Sequence, residues 1–294
     1  MKKTLLGTGL SGLVGSRMLE MMSSEYEFEN LSLETGVNIL NIKEVDQRFS
    51  SSKAEWVLHF AAKTNVDGCE KDKKFGEKGD AWKINVMGTK NIALACKKFN
   101  KKMLYISTDF VFDGKEKRYY EEEDPPNPLS WYAVTKYEGE KIVQKSHIPY
   151  LICRPAYPYR AVNSLKKDLV HVILDRLKNN EKITAVTDQF ITPTLIDDIA
   201  LAIKILITKD QTGIFHINGS QAVTPFDLAL KIAQVFNFDK NLIDKITLKA
   251  YYQNRAARPF HAVLKNDKIQ ALGVTMNTLD TGLKIIKKQM GEIL

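Results

Sequence analysis

Short apolar runs alternate with longer stretches of helical spacing along the first half of the chain. The apolar runs predict strands over residues 4–6, 28–33, 56–60, 102–107 and 150–153. Apolar positions at a period near that of a helix predict helices over residues 13–22, 84–99 and 131–143. Strands that alternate with helices form βαβ units, so this half predicts a parallel sheet covered by helices.

The pattern becomes mixed after Arg154. Helical spacing recurs over residues 169–177, 195–207 and 278–290, and residues 214–217 predict a strand. Another helix starts at Thr224, where Pro225 stands at the first helical position and Asp227 at the third. The second half therefore predicts a smaller lobe of mixed helices and strands.

Glycines within residues 7–15 match both G-x-G-x-x-G and T-G-x-x-G-x-x-G. This segment follows the first predicted strand and opens the first helix, the context that a dinucleotide-binding loop requires. Glycines let a diphosphate approach the backbone, and the helix start offers it amide groups and a positive dipole end. The expected cofactor contacts are Gly9, Leu10, Ser11, Gly12, Leu13 and Val14. The predicted fold class is accordingly α/β, a Rossmann-type doubly wound parallel sheet with a smaller α/β lobe.

An acidic residue about 20 positions past the glycine loop binds the adenosine ribose in such folds. Glu34 follows the second predicted strand and fits this position. Residues 18–42 contain no lysine or arginine that would hold a 2′-phosphate, which favours NAD over NADP. Lys43 or a more distant lysine could fold back, so the choice within NAD(P)H stays open.

Two tyrosines stand four residues before a lysine: Tyr132 before Lys136, and Tyr137 before Lys141. Residues four apart share a helix face, so the two pairs point in different directions and only one can face a cleft. Tyr132 lies at the start of its predicted helix, where a side chain reaches the mouth of the sheet. We therefore favour Tyr132 with Lys136 and interpret the second pair as part of the surface.

Together these features resemble the extended short-chain dehydrogenase/reductase superfamily, and specifically the dTDP-4-dehydrorhamnose reductase family. The resemblance covers nearly the whole chain and is carried by segments within residues 8–15, 61–67, 85–89, 107–114, 132–136, 188–194 and 255–259. It implies an NAD(P)-binding Rossmann domain over residues 1–154. Residues 155–294 would form mainly a substrate-binding lobe, with segments that return to the first domain.

The resemblance also implies catalytic residues Thr108, Tyr132 and Lys136. Thr108 would hydrogen-bond a substrate carbonyl, Tyr132 would give it a proton, and the nicotinamide would give it a hydride. We expect the Lys136 ammonium to lower the pKa of Tyr132 from its ordinary value near 10. Cofactor contacts beyond the glycine loop are expected from Glu34, Ala61, Ala62, Lys63, Ser107, Tyr132 and Lys136.

The residues after Thr108 indicate the reaction type. Related nucleotide-sugar 4,6-dehydratases have an Asp-Glu pair here, because elimination needs an acid and a base. This chain has Asp109 followed by Phe110, which favours ketone reduction. The expected substrate contacts are Asp109, Phe110, Tyr157, Gln189, Arg255 and Arg258. Two departures from the family pattern are Ala133, where glycine is usual, and Tyr157, in a segment that usually carries tryptophan.

Composition and charge narrow the picture further. In 294 residues, 44% hydrophobic and 27% charged positions exclude a disordered or fibrous chain. The net charge of +8 suggests an anionic partner without identifying it, and it is consistent with a nucleotide sugar rather than evidence for one. Nucleic acid is not expected, because no recognised binding motif accompanies the lysines. Apolar runs long enough for a membrane span are absent from the sequence, and glycines in residues 7–15 argue against a signal peptide.

The remaining expectations concern location and role. Three scattered cysteines predict reduced, half-buried thiols in a cytoplasmic protein, and the histidines show no metal-binding spacing. The resemblance implies NAD(P)H-dependent reduction of the 4-keto group of a nucleotide-linked 6-deoxy sugar, foremost dTDP-4-dehydrorhamnose to dTDP-rhamnose. Two alternatives remain: a non-catalytic regulatory subunit resembling the methionine adenosyltransferase β-subunit, and another nucleotide-sugar epimerase or reductase. A homodimer is compatible with all of these.

Overall fold

The computed structural model describes residues 2–116, 118–162 and 167–292. Its strands are β1 Lys3–Thr8, β2 Tyr26–Leu31, β3 Trp56–His59, β4 Lys102–Ile106, β5 Tyr150–Arg154, β6 Pro158–Tyr159, β7 Ile183–Val186, β8 Thr194–Leu195, β9 Gly213–His216 and β10 Ile243–Ile246. Its helices are α1 Leu13–Met22, α2 Ile42–Ser51, α3 Val66–Asp72, α4 Asp80–Trp82, α5 Thr89–Lys98, α6 Trp131–Lys145, α7 Leu169–Lys178, α8 Ile196–Thr208, α9 Pro225–Phe236, α10 Leu248–Tyr251, α11 Asp267–Gln270 and α12 Leu279–Gly291.

Six strands form one parallel sheet in the order β2-β1-β3-β4-β5-β9. The chain passes from β1 to β2 on one side and then to β3 on the other, so the strand order reverses between β1 and β3. Doubly wound sheets bind ligands at this reversal, outside the carboxyl ends of the strands. The predicted Rossmann-type α/β fold is confirmed, and its glycine loop lies at the reversal because it follows β1.

Helices cover both faces of this sheet. Leu5 and Leu58 belong to the core beneath α1 and α8, whereas their neighbours Leu6 and Val57 belong to the core beneath α2 and α5. A strand that is buried on both faces is apolar at consecutive positions. This burial explains the consecutive apolar residues of β1, β3, β4 and β5.

A separate core, away from the two faces of the sheet, lies among α7, α9 and α12. Two short parallel strand pairs, β7 with β10 and β6 with β8, accompany it. The second half of the chain also returns to the first, because β9 extends the central sheet and α8 packs against α1. The domain boundary at residue 154 stays a prediction.

The structure differs from the expected elements in several places. The second strand runs from Tyr26 to Leu31 rather than over residues 28–33, because a 3-10 turn at Leu33–Thr35 follows it. The predicted helix over residues 84–99 starts as a π-helical turn, Lys83–Gly88, before α5. All three cysteines are free, as predicted, but they are fully buried rather than half-buried. None of the helices in the described part of the chain is long and apolar enough to cross a membrane.

Candidate active site

The glycine loop joins β1 to α1 and touches the segment after β3. Gly9 has a φ of 65°, and a Cβ at this position would lie 2.6 Å from the backbone nitrogen of Ala61. Gly12 caps α1 with no side chain, so the amides of the first helical turn are available to an anion. Leu10 is buried, whereas Ser11 and Gly12 are exposed. The tip of the loop thus offers its backbone to a diphosphate.

Gly9→Ala is expected to destabilise the protein by roughly 1–3 kcal/mol and to weaken NAD(P)H binding, because the added methyl group meets the backbone of Ala61. Gly273→Ala is the matched control. Gly273 also has a positive φ, 86°, but a Cβ there would meet no atom within 4 Å. Thermal melting with and without cofactor measures both variants. Equal losses in the two would show that the close approach of the loop to Ala61 is unimportant.

The segment after β3 is held by hydrogen bonds to its backbone. The Ala61 nitrogen donates to Thr8 Oγ1 at 3.2 Å, and the Lys63 nitrogen donates to Asn85 Oδ1 at 2.7 Å. The Lys63 ammonium is turned to Asp80, 2.9 Å away. Residues 61–63, predicted to contact the cofactor, therefore lie beside the glycine loop with their backbone fixed.

A buried chain of hydrogen bonds connects β1 to α6 below this surface. His59 bridges Thr8 Oγ1 at 2.7 Å and Thr89 Oγ1 at 3.0 Å, and Thr89 donates to the Asn85 carbonyl. Asn85 Nδ2 in turn donates to Thr135 Oγ1 at 2.9 Å. Burial lowers the pKa of His59 to about 3, so the ring is neutral. Sequence reasoning assigned no role to Asn85 or Thr135, although the four-residue spacing of Asn85 and Thr89 places both on one helix face.

The two tyrosine–lysine pairs differ in their surroundings. Tyr132 and Lys136 on α6 are only 8% and 1% exposed. Lys136 Nζ donates to the carbonyl of Ile106, at the carboxyl end of β4, at 2.6 Å. Tyr137 and Lys141 are partly buried, and the Lys141 ammonium lies 4.9 Å from the ring centroid of Tyr137. The first pair therefore lies at the sheet edge where the glycine loop also lies, as expected for a pair that acts on a bound cofactor.

Burial controls the electrostatics of this pair. It raises the pKa of Tyr132 above the ordinary value, against a smaller opposite effect from a hydrogen bond with Thr108. It lowers the pKa of Lys136 to about 7, and the charge of Glu140 partly opposes this. The expectation that Lys136 lowers the pKa of Tyr132 is thus wrong for this structure, because loss of solvent dominates. Tyr132 is a neutral phenol at neutral pH, the form that donates a proton.

Thr108 and Asp109 complete the buried centre. Thr108 Oγ1 donates to Asp109 Oδ1 at 3.0 Å and accepts from the Phe110 nitrogen at 3.3 Å. The Phe110 ring meets Tyr132 edge-on, with centroids 6.2 Å apart. Asp109 Oδ2 is buried and has no hydrogen-bond partner among the described residues. A polar substrate group is the natural partner for such an atom.

Asp109→Asn is expected to change how stability depends on pH. Burial raises the pKa of Asp109 to about 7, whereas the same carboxyl in an unfolded chain has a pKa of about 3.9. Between these values a rise in pH favours the unfolded chain, by up to about 1.4 kcal/mol per pH unit. The stability of the variant relative to wild type should therefore increase from about pH 4 to about pH 7 and then level off. Denaturant titrations across this range measure the difference, and a constant difference would contradict the raised pKa.

The predicted substrate contacts separate into two groups. The Tyr157 ring packs against the Phe110 ring in a tilted arrangement, with centroids 5.8 Å apart. The Tyr157 hydroxyl accepts a hydrogen bond from Gln189 Nε2 at 3.4 Å. The Arg258 guanidinium lies 5.9 Å from the Phe110 ring centroid. The structure brings these three residues to the Thr108–Tyr132 centre. Arg255 is instead exposed and lies over Tyr251.

Asp67 connects the arginine segment to the first half of the chain. Its Oδ1 accepts from Arg258 Nη2 and from the Ala256 nitrogen, each at 3.1 Å. Sequence reasoning included Asp67 in a family segment but gave it no role. Two features of the sequence could have indicated a role for Asp67. It lies in a family segment, and the arginines of residues 255–259 need a carboxylate partner.

Two further predicted cofactor contacts lie at strand ends. Ser107 follows β4, and its buried Oγ has no partner among the described residues. Glu34 lies in the exposed turn after β2. The uncapped start of α1 and the unpartnered Ser107 hydroxyl both fit a dinucleotide. The described residues contain no cluster of three His, Cys, Asp or Glu side chains that could hold a metal ion.

Comparisons with known proteins agree with this geometry. A family model described as the RmlD substrate binding domain matches residues 2–290. The chain is 30% identical to the dTDP-4-dehydrorhamnose reductase of Aggregatibacter actinomycetemcomitans, covering 96% of this chain and 98% of that protein. It is 29% identical to methionine adenosyltransferase 2 subunit beta of Mus musculus, covering 96% and 86%. The structure of dTDP-4-dehydrorhamnose reductase from Bacillus anthracis in complex with NADP has a TM-score of 0.89 at 28% identity, covering 98% and 100%.

A glycine loop at the sheet reversal, with a buried tyrosine–lysine pair beside it, defines an NAD(P)-dependent oxidoreductase of the extended short-chain dehydrogenase/reductase class. Within that class, the chain belongs to the RmlD family, as its resemblance to dTDP-4-dehydrorhamnose reductases predicted.

Proposed function

We propose that this protein uses NAD(P)H to reduce the 4-keto group of a nucleotide-linked 6-deoxy sugar, with dTDP-4-dehydrorhamnose as the foremost substrate. The observation that carries the proposal is the buried set of Thr108, Tyr132 and Lys136 beside the glycine loop. The reductase names of relatives that align over nearly the whole chain support it. In this scheme residues 1–154 bind mainly the cofactor and residues 155–294 mainly the sugar nucleotide.

Each residue of the set has a distinct task. The amides at the start of α1 would bind the cofactor diphosphate, and Lys136 would bind the nicotinamide ribose. The Thr108 hydroxyl donates its hydrogen bond to the substrate carbonyl oxygen in place of Asp109, and this bond orients the carbonyl group. NAD(P)H, when bound, would supply the hydride that the carbonyl carbon accepts. Tyr132, neutral because it is buried, gives its proton to the carbonyl oxygen, so that the ketone becomes an alcohol.

The substrate side of the site fits a reduction. Phe110 stands where a dehydratase needs its second carboxylate, and its ring packs on Tyr132 and Tyr157. Asp109 offers its unpartnered Oδ2 to a sugar hydroxyl. Arg258 provides a guanidinium for the nucleotide diphosphate, a group that matches phosphate geometry. Arg255, which is exposed and lies over the Tyr251 ring, would act only if the substrate reaches beyond that ring.

One other function has a specific observation in its favour. The relative from Mus musculus is named as a subunit of methionine adenosyltransferase and aligns with almost the whole of this chain. A regulatory subunit would use the fold to bind a partner enzyme. The site residues would then bind a dinucleotide without turnover.

A turnover assay separates the two functions. Purified protein is mixed with dTDP-4-dehydrorhamnose and either NADH or NADPH, and loss of nicotinamide absorbance is followed together with formation of dTDP-rhamnose. We expect substrate-dependent oxidation of at least one cofactor. The absence of Lys and Arg from residues 18–42 favours NADH. Cofactor binding by calorimetry with no oxidation would contradict the reductase proposal and favour the regulatory one.

A further inference from the structure

The Lys136 ammonium occupies an unusual environment for a charge. It is buried, and Glu140, the carboxylate whose charge favours it, is itself held by Arg154 in a two-bond ion pair. Lys136 Nζ donates to the carbonyl of Ile106 and lies 4.1 Å from the ring centroid of Tyr105. The negative face of an aromatic ring attracts a cation most strongly where water is excluded.

Tyr105 is held rigidly beneath this ammonium. Its side chain is fully buried in β4, and His59 stacks on its ring with centroids 5.8 Å apart and planes 28° apart. Its hydroxyl donates to the backbone carbonyl of Lys136 at 3.1 Å. The same residue therefore contacts both the side chain and the main chain of the lysine.

A glycine in the middle of α6 makes room for this tyrosine. A Cβ at Gly139 would lie 2.2 Å from the Tyr105 hydroxyl oxygen and 2.7 Å from the ring carbon that bears it. Glycine is unfavourable inside a helix, so its presence here needs a steric reason. The close approach of Tyr105 supplies that reason.

We propose that Tyr105 is a positioning residue for the reductase: its ring stabilises the charged form of Lys136, and its hydroxyl fixes the turn of α6 that carries this lysine. The proposal rests on the proposed function of Lys136 in holding the cofactor ribose. The new proposal goes beyond that function because it assigns the support of Lys136 to Tyr105, a residue that does not touch the reacting atoms.

The charged and titratable groups that face Lys136 define the expected pH effect. His59 from β3 is neutral above about pH 3, and burial keeps Tyr105 protonated by raising its pKa well above the ordinary value. Glu140 on α6 stays paired with Arg154 from β5. Lys136 is thus the group of this set that loses a proton near neutral pH. Loss of the ring face should lower the pKa of Lys136 and move the alkaline fall in cofactor binding to lower pH.

The experiment compares Tyr105→Phe with Tyr105→Leu in the full-length protein. NAD(P)H affinity by calorimetry and kcat and KM in the turnover assay are each measured against pH. The alkaline limb is the part of the pH profile in which cofactor binding falls as pH rises. Tyr105→Phe retains the ring and should keep this limb at the wild-type pH. Tyr105→Leu should move that limb down by about one pH unit. Lys136→Met, which cannot titrate, should abolish the limb and so identifies it.

The outcomes that overturn the proposal are defined separately from those that overturn the reductase function. If cofactor binding falls at the same pH in Tyr105→Leu and in wild type, the ring of Tyr105 does not stabilise the charge of Lys136 and only fills space. If the leucine variant does not fold, fluorinated phenylalanines at position 105 keep the ring shape and weaken its negative face, and the limb should fall with each added fluorine. A shifted binding limb without any turnover in wild type would support the role of Tyr105 and reject the reductase function.

Discussion

Tyr132→Phe is expected to lower kcat roughly 10²–10⁴-fold, the usual contribution of a positioned general acid. Phenylalanine keeps the edge-on contact with Phe110 and removes only the hydroxyl, which is the proposed proton donor. The fold and the glycine loop are untouched, so NAD(P)H affinity should stay close to wild type. Single-turnover mixing with saturating cofactor and substrate measures the chemical step itself.

Tyr137→Phe is the matched control for this prediction. Tyr137 stands on the same helix and also precedes a lysine by four residues, but its ring lies beside Lys141, away from the buried centre. Turnover should be unchanged in this variant. Comparable losses in both variants would point to a general effect on α6, and undiminished turnover in Tyr132→Phe would require a different proton donor.

The sequence predicts much of the sheet and the loop at its reversal. Strands buried on both faces leave consecutive apolar residues, as at residues 56–58, and Gly9 and Gly12 stand at the spacing typical of dinucleotide-binding loops. The helix that carries Tyr132 and Lys136 was found because helical period and chemistry coincide there. In each case the signal is local, because the residues that form the pattern lie within a few positions of one another in the chain.

Features that depend on tertiary contacts escaped prediction. The lobe strands β6 and β8 have two residues each, too short to leave a period in the sequence. The pKa of Tyr132 depends on how completely the fold excludes water, and four-residue spacing carries no information on that. Arg255 and Arg258 look equivalent in sequence, yet Asp67, almost two hundred positions away, anchors only the latter. Such partners are visible only after the chain has folded.

Glu140→Gln is expected to have the largest effect on stability, a loss of about 3–5 kcal/mol. Glu140 accepts from Arg154 Nε at 2.9 Å and from Nη2 at 2.7 Å, and the two side chains are 0% and 1% exposed. Glutamine is close in shape but leaves the guanidinium charge buried without its counter-ion. Denaturant titration of the variant, read at a pH where the protein is stable, measures the loss.

A control and a rescue variant separate the charge from the helix position in this experiment. Glu138→Gln alters a partly exposed acid on the same helix, paired with Lys141, and should change stability by less than about 1 kcal/mol. The double variant Glu140→Leu with Arg154→Met removes both charges and should recover most of the loss, because apolar replacements of a buried ion pair are often neutral or stabilising. A double variant as unstable as Glu140→Gln would locate the cost in packing around α6 and β5 instead of in an unpaired charge. Because the charge of Glu140 also favours the ammonium form of Lys136, recovered stability with persistently low turnover would show that this ion pair also supports the proposed catalytic lysine.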